Sequence, residues 1–555
     1  MKRLGRGDID QESTSASLIT TIPPVGESEE FWLVDVGKPN VYRATATVRV
    51  ITAHAIWYVE SNLDFDSEAL AAASKIFENT IYPRVTEAFG TPSFEGVPKL
   101  SIFNGDLRGS GGYFTSNDHY PESIHPYSNH RSMLYIDAKT QQIGTDRYLS
   151  VLAHELQHFI HDSIDGGEET WINEGLAELA SEVAGYPTGY LGGDLPYPRV
   201  SLTNWPTTLG STYPYYVTSL GFFRYLTKHY SPTPDLKSLV REAADGTKGI
   251  NVYLATLGTN HSFTDIFQSW AIEGATAFLN QKRSAAANQL SSLAVNEDIV
   301  MSIPPFAPTF IRIAPSDTLV LIRFTGNPTV ALLPMDLTLQ SPCWWGNRGD
   351  SIHSKLTRQI DLSTKHNPSL RFQIWYDIES SWDYAYVTAS TDGGKSLQIL
   401  HSTRMTEYNP VGNALGPGYS GTSRGWISDE IDLTPFAGKS VLLSFEYLTD
   451  DGLHGPGLCI KDIQIESDGL VHPLDQEWVS SGFYYTDNTL PTEFRVNLLE
   501  LSPAGSFGVR VMRLDQANVG ELRIGPQESE SLAVVSFVTK PTTQEATFTL
   551  AITEP

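Results

Sequence analysis

The order of apolar and polar positions divides the chain into a mixed front half and a strand-rich back half. From Phe31 to about Val59, apolar and polar residues alternate in FWLVDV, YRATATVRVI and AIWYVE, which predicts a hairpin-like set of strands. Helical spacing follows from Ser67, the expected N-cap, to Gly90, which ends the helix. Two more strands are predicted in VPKLSIFNGD and SMLYIDA. The front half is therefore predicted to be an α+β domain that opens with strands.

The most periodic helix of the chain is predicted from Arg147 to about Ser163. Three later segments also have helical spacing: WINEGLAELASEVAG, YVTSLGFFRYLTKHY and SFTDIFQSWAIEGATAFLNQKRS. Near residue 290 the pattern changes. From there to Pro555 nearly every segment is a short β-branched or aromatic run bounded by Gly, Pro, Asn or Asp, which predicts two or more β-sandwich units.

These changes of pattern define four regions. Residues 1–30 are rich in Ser, Thr and Gly and are expected to form a disordered leader. Residues 31–285 should form the α+β domain, called here the front domain. A similar pattern of short β-branched and aromatic runs occurs in residues 290–335 and 496–555, which are expected to pair as one discontinuous β-sandwich. Residues 336–495 would then be a domain inserted into that sandwich, called here the inserted domain.

Composition excludes several classes of partner. The chain has 555 residues, with 64 acidic and 38 basic side chains and a formal charge of -26. This net negative charge disfavours broad electrostatic binding to nucleic acid or to an anionic membrane. No apolar run approaches the ~18 residues of a membrane span. The start, MKRLGRGDIDQESTSAS, is basic but lacks an apolar signal core. Either the protein is cytoplasmic or its secretion signal is absent from this chain, and we favour a secreted protein.

Cys343 and Cys459 are the only cysteines of the chain. Two cysteines cannot build a disulfide scaffold or a thiolate metal cluster. They either pair in an oxidising compartment or stay as two buried thiols, and their spacing alone does not decide between these states.

The strongest chemical signal is the segment HELQH, from His154 to His158. On a helix, residues four apart lie on one face, so the two imidazoles can bind one metal ion. Glu155 then approaches a metal-bound water from the side. The apolar segment LSVLA precedes His154, as expected for a helix that is buried beside an active site.

A hydrolytic zinc site needs three protein ligands and one open position. The next predicted helix, WINEGLAE, supplies Glu174, and fifteen residues separate it from His158, enough for an antiparallel return. Glu178 lies one turn further on the same face, where it can accept a hydrogen bond from a ligating histidine. Asp165 is a weaker rival for the third ligand.

These residues resemble the gluzincin metallopeptidases, whose thermolysin-like fold carries HExxH on one helix and a ligand Glu on the next. The pairing HELQH…WINEGLAE is most similar to the hyicolysin-type branch. The resemblance implies that His154, His158 and Glu174 bind zinc, that Glu155 is the general base, and that Glu178 orients a ligand. The loop between the two helices is shorter than in thermolysin.

Two related classes fit the sequence less well. The metzincin motif HExxHxxGxxH requires Gly at 161 and His at 164, where this chain has His161 and Ile164. Aminopeptidases of the gluzincin clan carry a GxMEN-like motif, which the sequence lacks. An endopeptidase is therefore expected.

Gluzincins also supply a Tyr or His that hydrogen-bonds the oxyanion of the tetrahedral intermediate. The segment after the ligand helix resembles the YxxxxxFxxYL pattern of the hyicolysin-type branch, and aligning Phe222 and Tyr225 puts Tyr216 at the oxyanion position. The alternative is that Tyr216 and its aromatic neighbours are core residues.

The Gly-rich segment GSGGYF precedes a polar stretch, YFTSND, which could form an edge strand that pairs with an extended substrate. The alternative is an ordinary turn.

The inserted domain carries a second resemblance. The segments WWGNRGD, WYDIESSWDYAYVTASTDGGKS and GWISDEIDLTPFAGKSVLLSFEYLTDDGLHGPGLCIKDIQI are similar to the jelly-roll, MAM-like domain of immune inhibitor A-type secreted bacterial proteases, over about residues 340–470. Such domains often hold a structural calcium, and Asp350 and Asp462 are the candidate donors. Each could instead cap its own turn. Trp344 and Trp345 could line a sugar-binding face or pack in the core.

The sequence therefore predicts a multidomain protein, with an α+β thermolysin-like metalloprotease domain followed by all-β sandwich and jelly-roll domains. The predicted function is that of a secreted zinc endopeptidase acting on protein or peptide substrates. The alternative is a cell-surface adhesion or carbohydrate-binding protein with a vestigial protease domain, whose β domains bind a glycan.

Overall fold

The computed structural model describes most of the chain. The predicted leader over 1–30 lies largely outside the described residues, and the first strand begins at Ser28. The described residues are 21–94, 97–189, 196–206, 212–231, 235–280, 290–335, 342–474, 477–501, 507–526 and 530–554.

The front domain contains one six-stranded sheet in the order β1-β2-β3-β4-β6-β5. The first three strands pair antiparallel, β4 and β6 continue the sheet in parallel, and the short β5 closes it as an antiparallel edge strand. The strands are β1 (Ser28–Asp35), β2 (Asn40–Ile51), β3 (Ala55–Glu60), β4 (Leu100–Gly105), β5 (Gly112–Tyr113) and β6 (Met133–Asp137).

Helices cover one face of this sheet. The first helix has Asp66 as its N-cap, not Ser67, because the Asp66 side chain accepts hydrogen bonds from the amides of Glu68 and Ala69, at 2.8 and 3.3 Å. A π-helical turn, Phe77–Ile81, joins it to the second helix. The helices are α1 (Ser67–Ile76), α2 (Tyr82–Phe89), α3 (Asp146–Ile164), α4 (Thr170–Ala184), α5 (Tyr213–Tyr230), α6 (Lys237–Val240), α7 (Gly246–Thr256) and α8 (Phe263–Asn280).

Helices α3 and α4 pack antiparallel. Ser181, near the end of α4, donates a hydrogen bond to the carbonyl of Ser150, near the start of α3, at 2.9 Å. The core between these helices and the sheet is fully buried and apolar; it includes Trp57, Leu134, Leu152, Phe159, Trp171, Leu176 and Phe223. Among the described residues, no helix has the length and apolar character needed to cross a membrane.

The regular elements after residue 290 are mainly strands. They are β7 (Ser291–Leu293), β8 (Glu297–Ile303), β9 (Thr309–Ile313), β10 (Val320–Gly326), β11 (Thr329–Ala331), β12 (Cys343–Trp345), β13 (His353–Asp361), β14 (Ser369–Asp377), β15 (Tyr384–Ser390), β16 (Gln398–Ile399), β17 (Ile427–Asp432), β18 (Ser440–Leu448), β19 (Gly457–Ser467), β20 (Leu470–Pro473), β21 (Val479–Ser481), β22 (Tyr484–Thr486), β23 (Thr489–Pro491), β24 (Phe494–Leu501), β25 (Phe507–Met512), β26 (Val519–Ile524), β27 (Ser531–Phe537) and β28 (Ala546–Thr553).

Two of the sheets contain strands from both the beginning and the end of the chain after residue 290, and the two sheets face each other. Their orders are β26-β10-β28-β8 and β25-β24-β27-β9-β7, and their inward side chains share one apolar core. The outer face of the second sheet packs on α8, where Ala271 and Ala275 contact Phe310 and Leu532. The sandwich is thereby fixed to the front domain.

The inserted domain also consists of two packed sheets. Their orders are β17-β14-β19-β12-β22, with β20 on β19, and β16-β15-β18-β13-β21. Cys343 on β12 and Cys459 on β19 form a disulfide, which resolves the alternatives that their spacing left open.

This disulfide should stabilise the inserted domain. Because the two cysteines are 116 residues apart, the bond removes a large loop from the unfolded ensemble. We predict that replacing Cys343 and Cys459 together by Ala lowers the free energy of unfolding by about 2–4 kcal/mol in a urea titration. Reducing the disulfide with a thiol should lower the free energy of unfolding of wild type by the same amount and leave that of the variant unchanged. Equal unfolding of oxidised wild type and variant would contradict the prediction.

Candidate metal centre and cleft

Helix α3 presents His154 and His158 towards a cleft and buries its apolar side. Its start is fixed by Thr145, whose hydroxyl accepts a hydrogen bond from the Tyr148 amide at 3.4 Å. The i, i+4 spacing places both imidazoles one above the other, with ring centroids 4.7 Å apart. Helix α4 returns alongside and adds Glu174.

Three donor atoms converge between these helices. His154 Nε2 lies 3.0 Å from His158 Nε2 and 3.2 Å from Glu174 Oε2, and His158 Nε2 lies 3.6 Å from Glu174 Oε2. A tetrahedral zinc ion with bonds of ~2.0–2.1 Å holds its ligands ~3.3 Å apart. The observed separations lie around this value, so the arrangement of these two imidazoles and one carboxylate fits zinc.

Glu178 lies behind the first histidine. Its Oε1 is 3.3 Å from His154 Nδ1, and the side chain is buried. This contact holds the ring so that Nε2 faces His158 and Glu174. Burial lowers the pKa of His154, but the carboxylates of Glu174 and Glu178 outweigh burial and raise that pKa well above its usual value.

Glu174 and Glu155 have opposite pKa shifts. Burial raises the pKa of Glu174, but contacts with His154 and His158 outweigh it and the pKa falls well below its usual value. Burial also raises the pKa of Glu155, and the same imidazoles only partly offset this rise. Glu174 is therefore a fixed anion, whereas Glu155 binds a proton more readily.

The edge strand β5 passes directly over Glu155. A Cβ atom at Gly112 would lie 2.8 Å from Glu155 Oε1 and 2.7 Å from Val151 Cγ1, so only glycine allows this close approach. This Gly-rich segment is conspicuous in the sequence, but its contact with Glu155 was not predicted. Gly112 and Tyr113 form a short edge strand, but the strand expected over YFTSND does not continue, because Ser116–His119 form a 3₁₀-helical turn.

The metal centre opens into a cleft of about 880 Å³ that two domains share. The front domain contributes Tyr113, Tyr216 and the donor residues. The inserted domain forms the opposite wall, with side chains that include Asp377, Glu379, Trp382, Asp450 and Leu453. The loops of the inserted domain thus line the cleft beside the donor residues.

Tyr216 lines the same cleft and packs against Trp205, with ring centroids 4.8 Å apart. It is half-buried, whereas Phe222 and Phe223 are fully buried in the core. The alternative that the aromatic residues of α5 are core residues therefore applies to the two phenylalanines.

Asp165, the rival for the third ligand, lies outside the donor group. Asp165 is the C-cap of α3 and lines the cleft, but it does not belong to the group of converging donors. His161 is buried, and burial together with His158 lowers its pKa to about 4, so that it is neutral near pH 7.

A second group of donors lies in the inserted domain. One carboxylate oxygen each from Glu379, Asp383 and Asp450 lies within 4.8 Å of the others. Glu379 Oε2 is buried without a hydrogen-bond partner, and Asp383 is fully buried. Burial and the neighbouring carboxylates raise the pKa of Glu379 and that of Asp383 well above their usual values. Sequence reasoning missed this group.

The calcium donors expected from the sequence, Asp350 and Asp462, do not belong to this group. Asp350 uses its oxygens for Thr170 and His454, and Asp462 is exposed on β19. The tryptophans also differ, because Trp345 is buried in the core while Trp344 is only partly buried, beside Tyr485.

Parts of the chain are similar to known proteins. The family described as "Immune inhibitor A-like, MAM domain" matches residues 338–483, which confirms the resemblance found in the inserted domain. "Pre-pro-metalloprotease PrtV" of Vibrio cholerae serotype O1 is 34% identical over 142 residues, 26% of this chain and 15% of the relative. "Immune inhibitor A" of Bacillus thuringiensis subsp. alesti is 34% identical over 129 residues, 23% of this chain and 18% of the relative.

The similarity thus covers less than a fifth of the length of either relative. One of the two is named a metalloprotease, and the matched family is a domain of immune inhibitor A-like proteins. In this chain, a MAM-like domain forms one wall of the cleft that contains the candidate metal centre.

Proposed function

We propose that the protein is a secreted zinc-dependent endopeptidase of gluzincin type that hydrolyses peptide bonds in proteins. The observation that carries the proposal is the convergence of His154 Nε2, His158 Nε2 and Glu174 Oε2 at separations of 3.0–3.6 Å. Two neutral imidazoles and one carboxylate are the donor set of many hydrolytic zinc sites, which keep a fourth position for water or substrate.

Bound zinc would polarise the scissile carbonyl and lower the pKa of a water towards ~7. Glu155 takes the proton of the attacking water and delivers it to the leaving amine. Its buried position raises its pKa, which favours this exchange of a proton. Glu178 holds His154 in the ligating orientation through Nδ1.

The cleft residues suit an extended peptide. The edge strand β5 lies beside Glu155 and offers backbone groups with which a substrate strand can pair. Tyr216 lines the same cleft and is assigned to stabilise the oxyanion by donating a hydrogen bond. A relative named as a metalloprotease supports a peptide substrate. The Cys343–Cys459 disulfide supports an oxidising, extracellular location.

The second donor group is proposed to bind a structural calcium ion. Glu379, Asp383 and Asp450 offer only oxygen atoms, which calcium prefers. Asp383 and Asp450 are buried and Glu379 is half-buried, and carboxylates this close repel one another, a cost that a divalent cation removes. The unpartnered Glu379 Oε2 supports a cation at this place.

One observation favours the alternative of a glycan-binding protein. Tyr484 and Tyr485 are 53% and 60% exposed on the inserted domain, and Tyr485 packs beside Trp344. Exposed aromatic rings can stack on sugar rings. A preparation that contains no zinc and cleaves no protein, yet binds a glycan, would favour this alternative.

The role of Glu155 can be tested by the isosteric change Glu155→Gln. Because the amide cannot accept the water proton, we predict that kcat for a protein substrate falls by about 10²–10⁴-fold while zinc content is unchanged. Asp146→Asn is the matched control, since it removes an exposed carboxylate from the same helix. Full activity of the Glu155 variant would show that the base is wrongly assigned.

Glu174→Gln tests the third ligand. Removing the anion should lower zinc affinity more than about 100-fold, since losing even an orienting partner of a ligand costs 10–100-fold. Zinc affinity is measured by chelator competition. Glu182→Gln, two turns further along α4 in an ion pair with Arg224, should bind zinc as wild type does. Equal affinity of the Glu174 variant and this control would exclude Glu174 as a ligand.

The calcium proposal predicts a calcium-dependent gain in stability. At a free calcium concentration of about 100 times Kd, wild type should gain about 2.7 kcal/mol in the free energy of unfolding. Asp383→Asn should abolish the gain, whereas Asp392→Asn, in an exposed turn of the same domain, should retain it. Thermal unfolding with and without calcium measures the difference. A calcium response that survives in the Asp383 variant would contradict the proposed site.

A further inference from the structure

The helix that carries Glu174 and Glu178 has no side-chain cap from its own N-cap residue. The N-cap residue of α4, Glu169, makes no side-chain hydrogen bond to a helix amide, and its carboxylate accepts a bond from the Trp171 indole at 2.7 Å instead. The first amides of any helix lack partners within the helix. The Glu169 amide donates to Glu168 Oε1 and the Ile172 amide donates to the Glu169 carbonyl, so it is the Thr170 amide that needs an acceptor from outside.

That acceptor comes from the inserted domain, 180 residues away in sequence. Asp350 Oδ2 accepts hydrogen bonds from the Thr170 amide at 2.6 Å and from the Thr170 hydroxyl at 2.5 Å. Asp350 is 3% exposed, and its Oδ1 lies 2.6 Å from His454 Nδ1. The Leu453 amide donates to the Thr170 hydroxyl at 3.2 Å. Both oxygens of Asp350 are thus held in place.

The negative charge of the Asp350 carboxylate is favourable at the N-terminus of α4. Burial raises its pKa, but the contacts with His454 and Thr170 outweigh burial, and the pKa lies below its usual value. An ionised carboxylate at a helix N-terminus also interacts favourably with the helix dipole.

Further contacts fix the inserted domain at this point. The half-buried Arg348 donates to Asn204 Oδ1 at 2.7 Å, and Asn204 Nδ2 donates to the Thr542 carbonyl of the sandwich at 3.1 Å. The start of α4 therefore lies near a junction where the front domain, the inserted domain and the sandwich are linked. Movement of the inserted domain would be transmitted to Thr170 through Asp350.

We infer that Asp350 is a positioning residue, which holds the first turn of α4 so that Glu174 meets the two histidines at the metal centre. Glu174 lies one turn after Thr170, and ligands function only when held within about 0.5 Å of the required geometry. This inference rests on the proposed zinc-dependent function. It gives the inserted domain a role in assembling the metal centre as well as in lining the cleft.

The test compares Asp350→Ala, Asp350→Asn and wild type as full-length chains. Asp350→Ala removes the acceptor, and we expect zinc affinity in chelator competition to fall about tenfold, as for the loss of a helix cap. We expect kcat to fall by a similar factor, with KM changed less than about twofold, since the substrate wall stays in place. Asp350→Asn keeps an acceptor oxygen and should recover most of the loss.

Amide hydrogen exchange gives a readout that does not depend on activity. The amides of Thr170 and the following first turn should exchange faster in Asp350→Ala than in wild type, while amides of the sandwich stay unchanged. The matched control is Asp432→Ala, which removes an exposed carboxylate that accepts from the Thr434 amide at 2.8 Å within the inserted domain. This control should retain wild-type zinc affinity, kcat and exchange at α4.

The outcomes separate the inference from the proposed function. If Asp350→Ala keeps wild-type zinc affinity and kcat while Glu155→Gln is inactive, the positioning role is wrong and the proposed function stands. An equal loss in Asp432→Ala, or no recovery in Asp350→Asn, would also overturn the positioning role. If wild type binds no zinc and cleaves no protein, the proposed function fails, whatever the exchange at Thr170 shows.

Discussion

The structure depends on holding three carboxylates and two imidazoles together in a space that is only partly open to water. Glu174 contacts both His154 and His158, Glu178 contacts His154, and Glu155 is buried next to these imidazoles. Taking such charges out of water is costly unless each has a partner. The antiparallel packing of α3 and α4 provides those partners at fixed separations. A metal ion bound by the two imidazoles and the Glu174 carboxylate would offset much of this negative charge, so folding and metal binding should favour each other.

The elements around α3 and α4 can be understood from the need to hold these carboxylates and imidazoles together. The edge strand β5 approaches Glu155 closely because Gly112 has no side chain. The inserted domain closes the opposite side of the cleft, and its Asp350 reaches the start of α4. The donor atoms on α3 and α4 thus have β5 on one side and the inserted domain on the other.

The two helices of the candidate metal centre could be predicted from the sequence, because spacing along a helix fixes which side chains share a face. The segment around His154 and His158, and the following helix with Glu174, carry such spacing, and the structure has helices at both places. The wall formed by the inserted domain could not be predicted, since contacts such as Asp350 to Thr170 depend on how domains dock. The Asp383 and Asp450 pair was missed because it depends on strand register: β15 and β18 pair Tyr384 with Leu448, which brings the adjoining turns together.

Anomalous X-ray diffraction at the zinc absorption edge, from crystals of the full chain grown with zinc, tests the metal centre most directly. The geometry predicts one strong peak at about 2.0–2.1 Å from Nε2 of His154 and of His158, with the carboxylate of Glu174 as the third ligand. The absence of a peak between these residues, or a peak held by a set that excludes Glu174, would contradict the assignment of this site.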